Sequence, residues 1–153
     1  MTLWFDDLAV GQKWTSPART ITESDVASFA SLTGDFHPLH TNEPFAANSR
    51  FGQRIAHGLL GLTYAHGLMW TRTGEFDESI TAFLGISDWK FTAPVFFGDT
   101  IHLNYEIVER RASKSNPSEG IVGFFVEVLN QNDEVVQAGT KNLLIAKRPA
   151  AAD

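Results

Sequence analysis

The chain has 153 residues, 43% hydrophobic and 20% charged, with a formal net charge of −6 and no cysteine. That length predicts one domain over residues 1–153, able to bury a core without staples. The missing thiols exclude disulfides, thiolate metal sites and a cysteine nucleophile. Lys and Arg are scattered through an acidic chain, which sets nucleic acid and anionic membrane surfaces aside as partners.

Met1-Thr2-Leu3-Trp4-Phe5-Asp6-Asp7 lacks a basic region leading into an apolar run, so no secretory leader is expected. The absence of cysteine suits a cytoplasmic chain. Gln12 to Ile21 alternates loosely and predicts a short strand. Thr22-Glu23-Ser24-Asp25 reads as a helix start, with Thr22 as N-cap and acids in the first turn. Val26, Phe29, Ala30 and Leu32 follow at helical spacing, and Gly34 supplies the stop.

Thr33-Gly34-Asp35-Phe36-His37-Pro38-Leu39-His40 then packs a carboxylate and two imidazoles into a short stretch. Gly34 and Pro38 make it read as a loop. Asp35 and His40 are the first candidates for chemistry: an imidazole can take a proton from water near neutral pH, and a carboxylate can hold that water or relay the proton. The plainer reading is an Asp that starts a turn and a His that caps a helix. The spacing Asp35-x-His37-x-x-His40 also resembles a ligand cluster, but Pro38 restricts it and no further carboxylate–His pair is near, so no metal is expected. Asn42 to Asn48 predicts a second short helix, capped by Asn42 with Pro44 in its first turn.

Ile55 to about Thr71 is apolar on nearly every side, and its length favours a helix wholly surrounded by protein. If Ile55 begins it, the Gly58 N–H falls in the first turn and is an unpaired donor suited to a carbonyl gaining negative charge. A glycine there serves equally as a packing residue. Ser79 to Phe97, Thr100 to Arg111, Gly120 to Leu129 and Glu134 to Ala146 are rich in β-branched and aromatic residues and are separated by turn signals. They predict antiparallel strands, with Val122, Phe124, Val126 and Val128 on the core side. Residues from about Arg148 to Asp153 read as a frayed tail. Helices first and strands after give an α+β class, with the sheet curled around the apolar helix.

Thr33 to Thr41, then Arg54-Ile55-Ala56-His57-Gly58, then Pro94-Val95-Phe96-Phe97-Gly98-Asp99-Thr100 resemble the MaoC-like dehydratases, which include R-specific enoyl-CoA hydratases. Phe5 to Gly11 and Thr20-Ile21-Thr22 are also similar, so the resemblance runs from about Phe5 to Ala146. It implies a hot-dog fold, a curved antiparallel sheet wrapped around a long central helix. It implies reversible hydration of 2-enoyl thioesters on coenzyme A or acyl carrier protein, with no separate cofactor, in a homodimer or a trimer of dimers. Asp35 and His40 take the places of the family's catalytic pair, and Gly58 that of its oxyanion glycine. His37 stands where many hydratases have Asn, and His66 where some have a supporting Ser; with His57 they are the possible supporting residues. Within the same fold, a thioesterase or a non-catalytic partner subunit is the rival reading. Arg50, Arg54 and Lys90 could meet coenzyme phosphates, or be ordinary exposed charges.

Overall fold

The computed structural model describes residues 1–71 and 74–150. Strands β1 (Lys13–Thr15), β2 (Arg19–Thr20), β3 (Ile80–Phe91), β4 (Thr100–Ala112), β5 (Glu119–Leu129) and β6 (Val135–Ala146) form an antiparallel sheet ordered β1-β4-β5-β6-β3, with β2 also on β4. Helices α1 (Glu23–Thr33), α2 (Pro38–Thr41), α3 (Glu43–Ala47) and α4 (Gly58–Trp70) all precede β3. The sheet lays its inner face on α4, giving the hot-dog arrangement that the resemblance implied.

The core follows from strand alternation. Val122, Phe124, Val126 and Val128 are fully buried, while Phe125 between them is exposed. Ile101, Leu103 and Ile107 of β4 and Leu143 and Ile145 of β6 join them beneath Leu60, Ala65, Leu68 and Met69 of α4. At the far end, the Phe5 ring lies over Gly120 where a Cβ would overlap it, and the Arg110 guanidinium stacks on that ring at 4.0 Å. Gly120→Ala is therefore expected to destabilise the fold by about 1–3 kcal/mol, the usual range for overpacking, read from urea unfolding.

Four expectations need correcting. The Gln12–Ile21 segment is two short strands, because Pro17 has no N–H to give to a ladder. The strand expected over 79–97 ends at Phe91, where the chain leaves to bridge Phe96 to Ile55. The central helix begins at Gly58, since Ala56 donates to the Val95 carbonyl at 2.8 Å and stays extended. That helix is not enclosed all round: Leu59, Thr63 and Gly67 form an outward stripe, with Leu59 59% exposed. At the start of the expected tail, Arg148 pairs with Asp7 at 2.7 Å and its N–H reaches Asp6; residues 151–153 lie outside the described residues. Among the described residues no helix is long and apolar enough to cross a membrane.

Helix α1 is placed by its cap. Thr22 accepts from the Asp25 N–H and Asp25 returns a bond to the Thr22 N–H. The same carboxylate takes the Tyr64 hydroxyl of α4 and the Arg19 guanidinium, each at 2.9 Å. Pinned to α4 in this way, α1 ends at Gly34, whose φ of 78° turns the chain back toward the start of α4. Asp35 is the next residue.

Candidate active site

Local hydrogen bonding shapes the Asp/His segment. Asp35 Oδ1 accepts the His37 N–H at 3.2 Å, an Asx turn, and His37 Nδ1 accepts the Leu39 N–H at 3.2 Å as the cap of α2. The plainer reading thus holds for Asp35, which starts the turn, but the histidine that caps a helix is His37 and not His40. The segment is not a loop throughout, because Pro38 opens a four-residue helical turn that carries His40. His37 is spent on the cap, with its ring edge-on to Phe45 at 6.2 Å.

His40 faces inward and is held by its backbone surroundings. Its Nδ1 lies 2.7 Å from the Ile55 carbonyl. A carbonyl only accepts, so Nδ1 carries the hydrogen and Nε2 keeps a lone pair. Burial lowers the His40 pKa below the ordinary imidazole value; the Ile55 bond opposes this and neighbouring His57 adds to it. His40 is therefore a neutral base near pH 7.

His57 is the residue whose weight the sequence understates. It is 3% exposed and stacks on His40 with ring centroids 3.8 Å apart. Its Nε2–H donates to the Asp35 carbonyl at 2.9 Å, and the Asp35 carboxylate lies 3.9 Å away. Its Nδ1 is buried with no hydrogen-bond partner among the described residues. The motif Ala56-His57-Gly58 was the available signal: a His at the N-cap of a buried helix points back at whatever precedes that helix.

Asp35, His40 and His57 place one ligand atom each within 4.8 Å of one another. The two imidazoles meet face to face with planes only 28° apart. Lone pairs lie in the ring planes, so stacked rings do not aim them at one point as a metal requires.

Gly58 opens α4 directly after His57, whose side chain makes no cap bond. Leu60 and Gly61 donate to the His57 carbonyl at 3.1 and 3.3 Å, and no side chain caps the Gly58 and Leu59 N–H groups ahead of them. Gly58 lines a cleft of about 240 Å³ together with His57, Phe91, Pro94 and Arg50. A Cβ at Gly58 would come within 2.9 Å of the Phe91 ring, so any other residue here would push that ring aside. The Gly58 carbonyl accepts from Gln137 Nε2 at 3.1 Å, which ties the helix start to β6.

The other candidates lie elsewhere. His66 sits two turns along α4, against Lys141, Trp70 and Phe83. Arg54 is taken by Glu23 at 2.7 Å, with Glu43 at 3.9 Å. Arg50 stacks over Phe51 at 4.7 Å beside the cleft, and Lys90 is exposed on β3.

A family model described as a MaoC like domain matches residues 7–128. The chain is 39% identical over 107 residues to a 3-hydroxybutyryl-CoA dehydratase of Methylorubrum extorquens, covering 70% of this chain and 65% of that protein. It is 39% identical over 98 residues to an (R)-specific enoyl-CoA hydratase of Rhodospirillum rubrum, covering 64% and 65%. The match thus spans somewhat under two thirds of the length of both relatives. The crystal structure of a MaoC-like dehydratase from Rhodospirillum rubrum superposes with a TM-score of 0.87 at 29% identity, covering 97% of this chain and 99% of that one.

Proposed function

The chain belongs to the MaoC-like dehydratase family, and on that premise we propose that it adds water reversibly across the double bond of a 2-enoyl thioester, giving the R-3-hydroxyacyl thioester. The observation that carries this reading is the pairing of a neutral, carbonyl-oriented His40 with Asp35 beside the uncapped helix start at Gly58. The substrate's thioester oxygen takes the Gly58 N–H, with the dipole of α4 behind it. Polarisation makes the β carbon electrophilic. His40 Nε2 accepts a proton from a water as its oxygen bonds to that carbon, and Asp35 relays this same proton on to the α carbon, so that His40 ends neutral and Asp35 ionised, as they began. Dehydration is the reverse path. Water, two side chains and one N–H complete the reaction, so no metal or organic cofactor enters the scheme.

The carrier is coenzyme A or acyl carrier protein. Arg50 stands at the cleft with no carboxylate partner among the described residues, and suits a phosphate of either. A homodimer is the assembly we propose, in keeping with Leu84 and Phe91 on edge strand β3, 49% and 52% exposed, beside the open stripe of α4. A panel of 2-enoyl-CoA substrates tests the activity. Purified protein is expected to bleach the conjugated thioester absorbance and form the R-3-hydroxyacyl product; no bleaching across the panel, or free thiol release in its place, would sink the reading.

A further inference from the structure

Two polar side chains stand on the inward face of β6, Gln137 at 1% and Lys141 at 0% exposed. Lys141 has no carboxylate partner among the described residues, and it does not line the cleft at Gly58. Gln137 does line that cleft. A buried amide weakens a fold unless its groups are bonded, and an apolar residue would serve packing alone.

Both ends of the Gln137 amide are taken. Its Nε2–H donates to the Gly58 carbonyl at 3.1 Å, and its Oε1 accepts the Trp89 Nε1–H at 3.2 Å. An indole only donates and a carbonyl only accepts, so the amide has a single orientation. A break in β3 accompanies Trp89. The register against β6 shifts between Ser87 and Lys90, Asp88 has a φ of 54°, and Trp89 packs against the core. On the other side α4 makes room, since a Cβ at Gly61 would overlap Gln137 Nε2. Glycine stands there although alanine is the better helix former.

This is not how a helix start is ordinarily held. An N-cap side chain steadies the first turn by taking its N–H groups. In α4 no side chain does so. Gln137 grips the turn through a carbonyl, so the turn is fixed to the sheet while its leading donors stay open. We propose that Gln137 is a positioning residue for hydration: it holds the first turn of α4 so that the Gly58 N–H meets the thioester oxygen as that oxygen gains charge. The inference rests on the hydration reading and adds to it a residue that acts through the backbone of Gly58, apart from the proton path of Asp35 and His40.

Steady-state kinetics of wild type, Gln137→Met and Gly61→Ala on a 2-enoyl-CoA substrate test this. Methionine fills the volume of Gln137 without a donor. Alanine at position 61 keeps Gln137 and puts a methyl where its amide nitrogen lies. Each variant is expected to lower kcat by about 10–100-fold, short of the loss of a whole oxyanion donor, with KM within about threefold of wild type. The acid limb of the pH profile, set by His40, is expected to stay in place. Should Gln137→Met fail to fold, Gly61→Ala decides. A folded variant with wild-type kcat, a loss confined to KM, or a loss that comes with a shifted acid limb overturns the inference and leaves the hydration reading standing. Wild-type protein inactive on every 2-enoyl-CoA rejects that reading and the inference with it.

Discussion

His40→Gln is expected to lower kcat/KM for enoyl-thioester hydration by about 10²–10⁴-fold, the span that a positioned acid–base group contributes. Glutamine keeps a donor that can reach the Ile55 carbonyl but has no basic nitrogen to accept a proton from water. Asp35→Asn should fall in the same range. Its amide oxygen can still accept the His37 N–H and keep the Asx turn, so the lost charge and proton capacity are isolated from any change in fold. The two variants should unfold at wild-type urea concentrations, since neither side chain fills the core. A wild-type rate in both would remove the pair from the mechanism. The pH profile adds a sign. Burial lowers the His40 pKa, so the base form persists to more acid pH than a free imidazole would allow, and the acid limb of kcat/KM should lie below pH 6.5.

Lys141→Met is expected to stabilise the fold by about 1–4 kcal/mol at neutral pH, as replacement of buried charge by packed apolar volume does elsewhere. The dependence on pH separates this from a simple packing gain. The ammonium titrates at about 7 when folded, against 10.5 when exposed. At pH between these values the unfolded chain holds the proton and the folded chain does not, so unfolding takes up a proton and stability rises with pH. Below about 7 both states are protonated, and the full penalty for charge burial is present. Wild type should therefore gain on the variant by up to about 1.4 kcal/mol per pH unit above neutrality. His66 faces the ammonium across 3.5 Å, and its own pKa is lowered by burial and then by Lys141, so it stays neutral over that window. Urea unfolding at pH 6, 7.5 and 9 measures the gap; a gap independent of pH would place a partner on Lys141 that neutralises it.

Local signals were most legible where one residue type has one use. Thr22 with Asp25, Gly34, and Asn42 with Pro44 bound their helices as read, because capping and helix stops depend on a few neighbours. The alternation in β5 assigned its core face correctly for the same reason. Extents were less legible. Ile55 and Ala56 are apolar and fit a helix, yet tertiary pairing with Phe96 and Val95 keeps them extended. Apolar character on all sides of α4 did not mean burial by its own chain, since Leu59, Thr63 and Gly67 look outward. In the site, Asp35 and His40 stood out as an unusual density of chemistry, but the stacking of His57 on His40 joins residues far apart in sequence. Lys141 was missed because a lone lysine in a strand suggests solvent. Its phase did carry a signal, since it shares a face with Leu143 and Ile145 and not with Thr140 or Asn142.

Both imidazoles at the centre of the site hang from main-chain carbonyls, His40 from Ile55 and His57 from Asp35. Every residue type brings a carbonyl, so substitution at Ile55 cannot delete the group that decides which nitrogen of His40 is basic. Proton logic and substrate preference are thereby written in different parts of the molecule. Selection acting on the cleft beside Gly58, at Phe91 of β3, can reshape the space offered to a substrate without disturbing the tautomers. That separation makes this scaffold a tractable starting point for directed evolution, in which libraries confined to β3 would explore new substrates on an unchanged reaction.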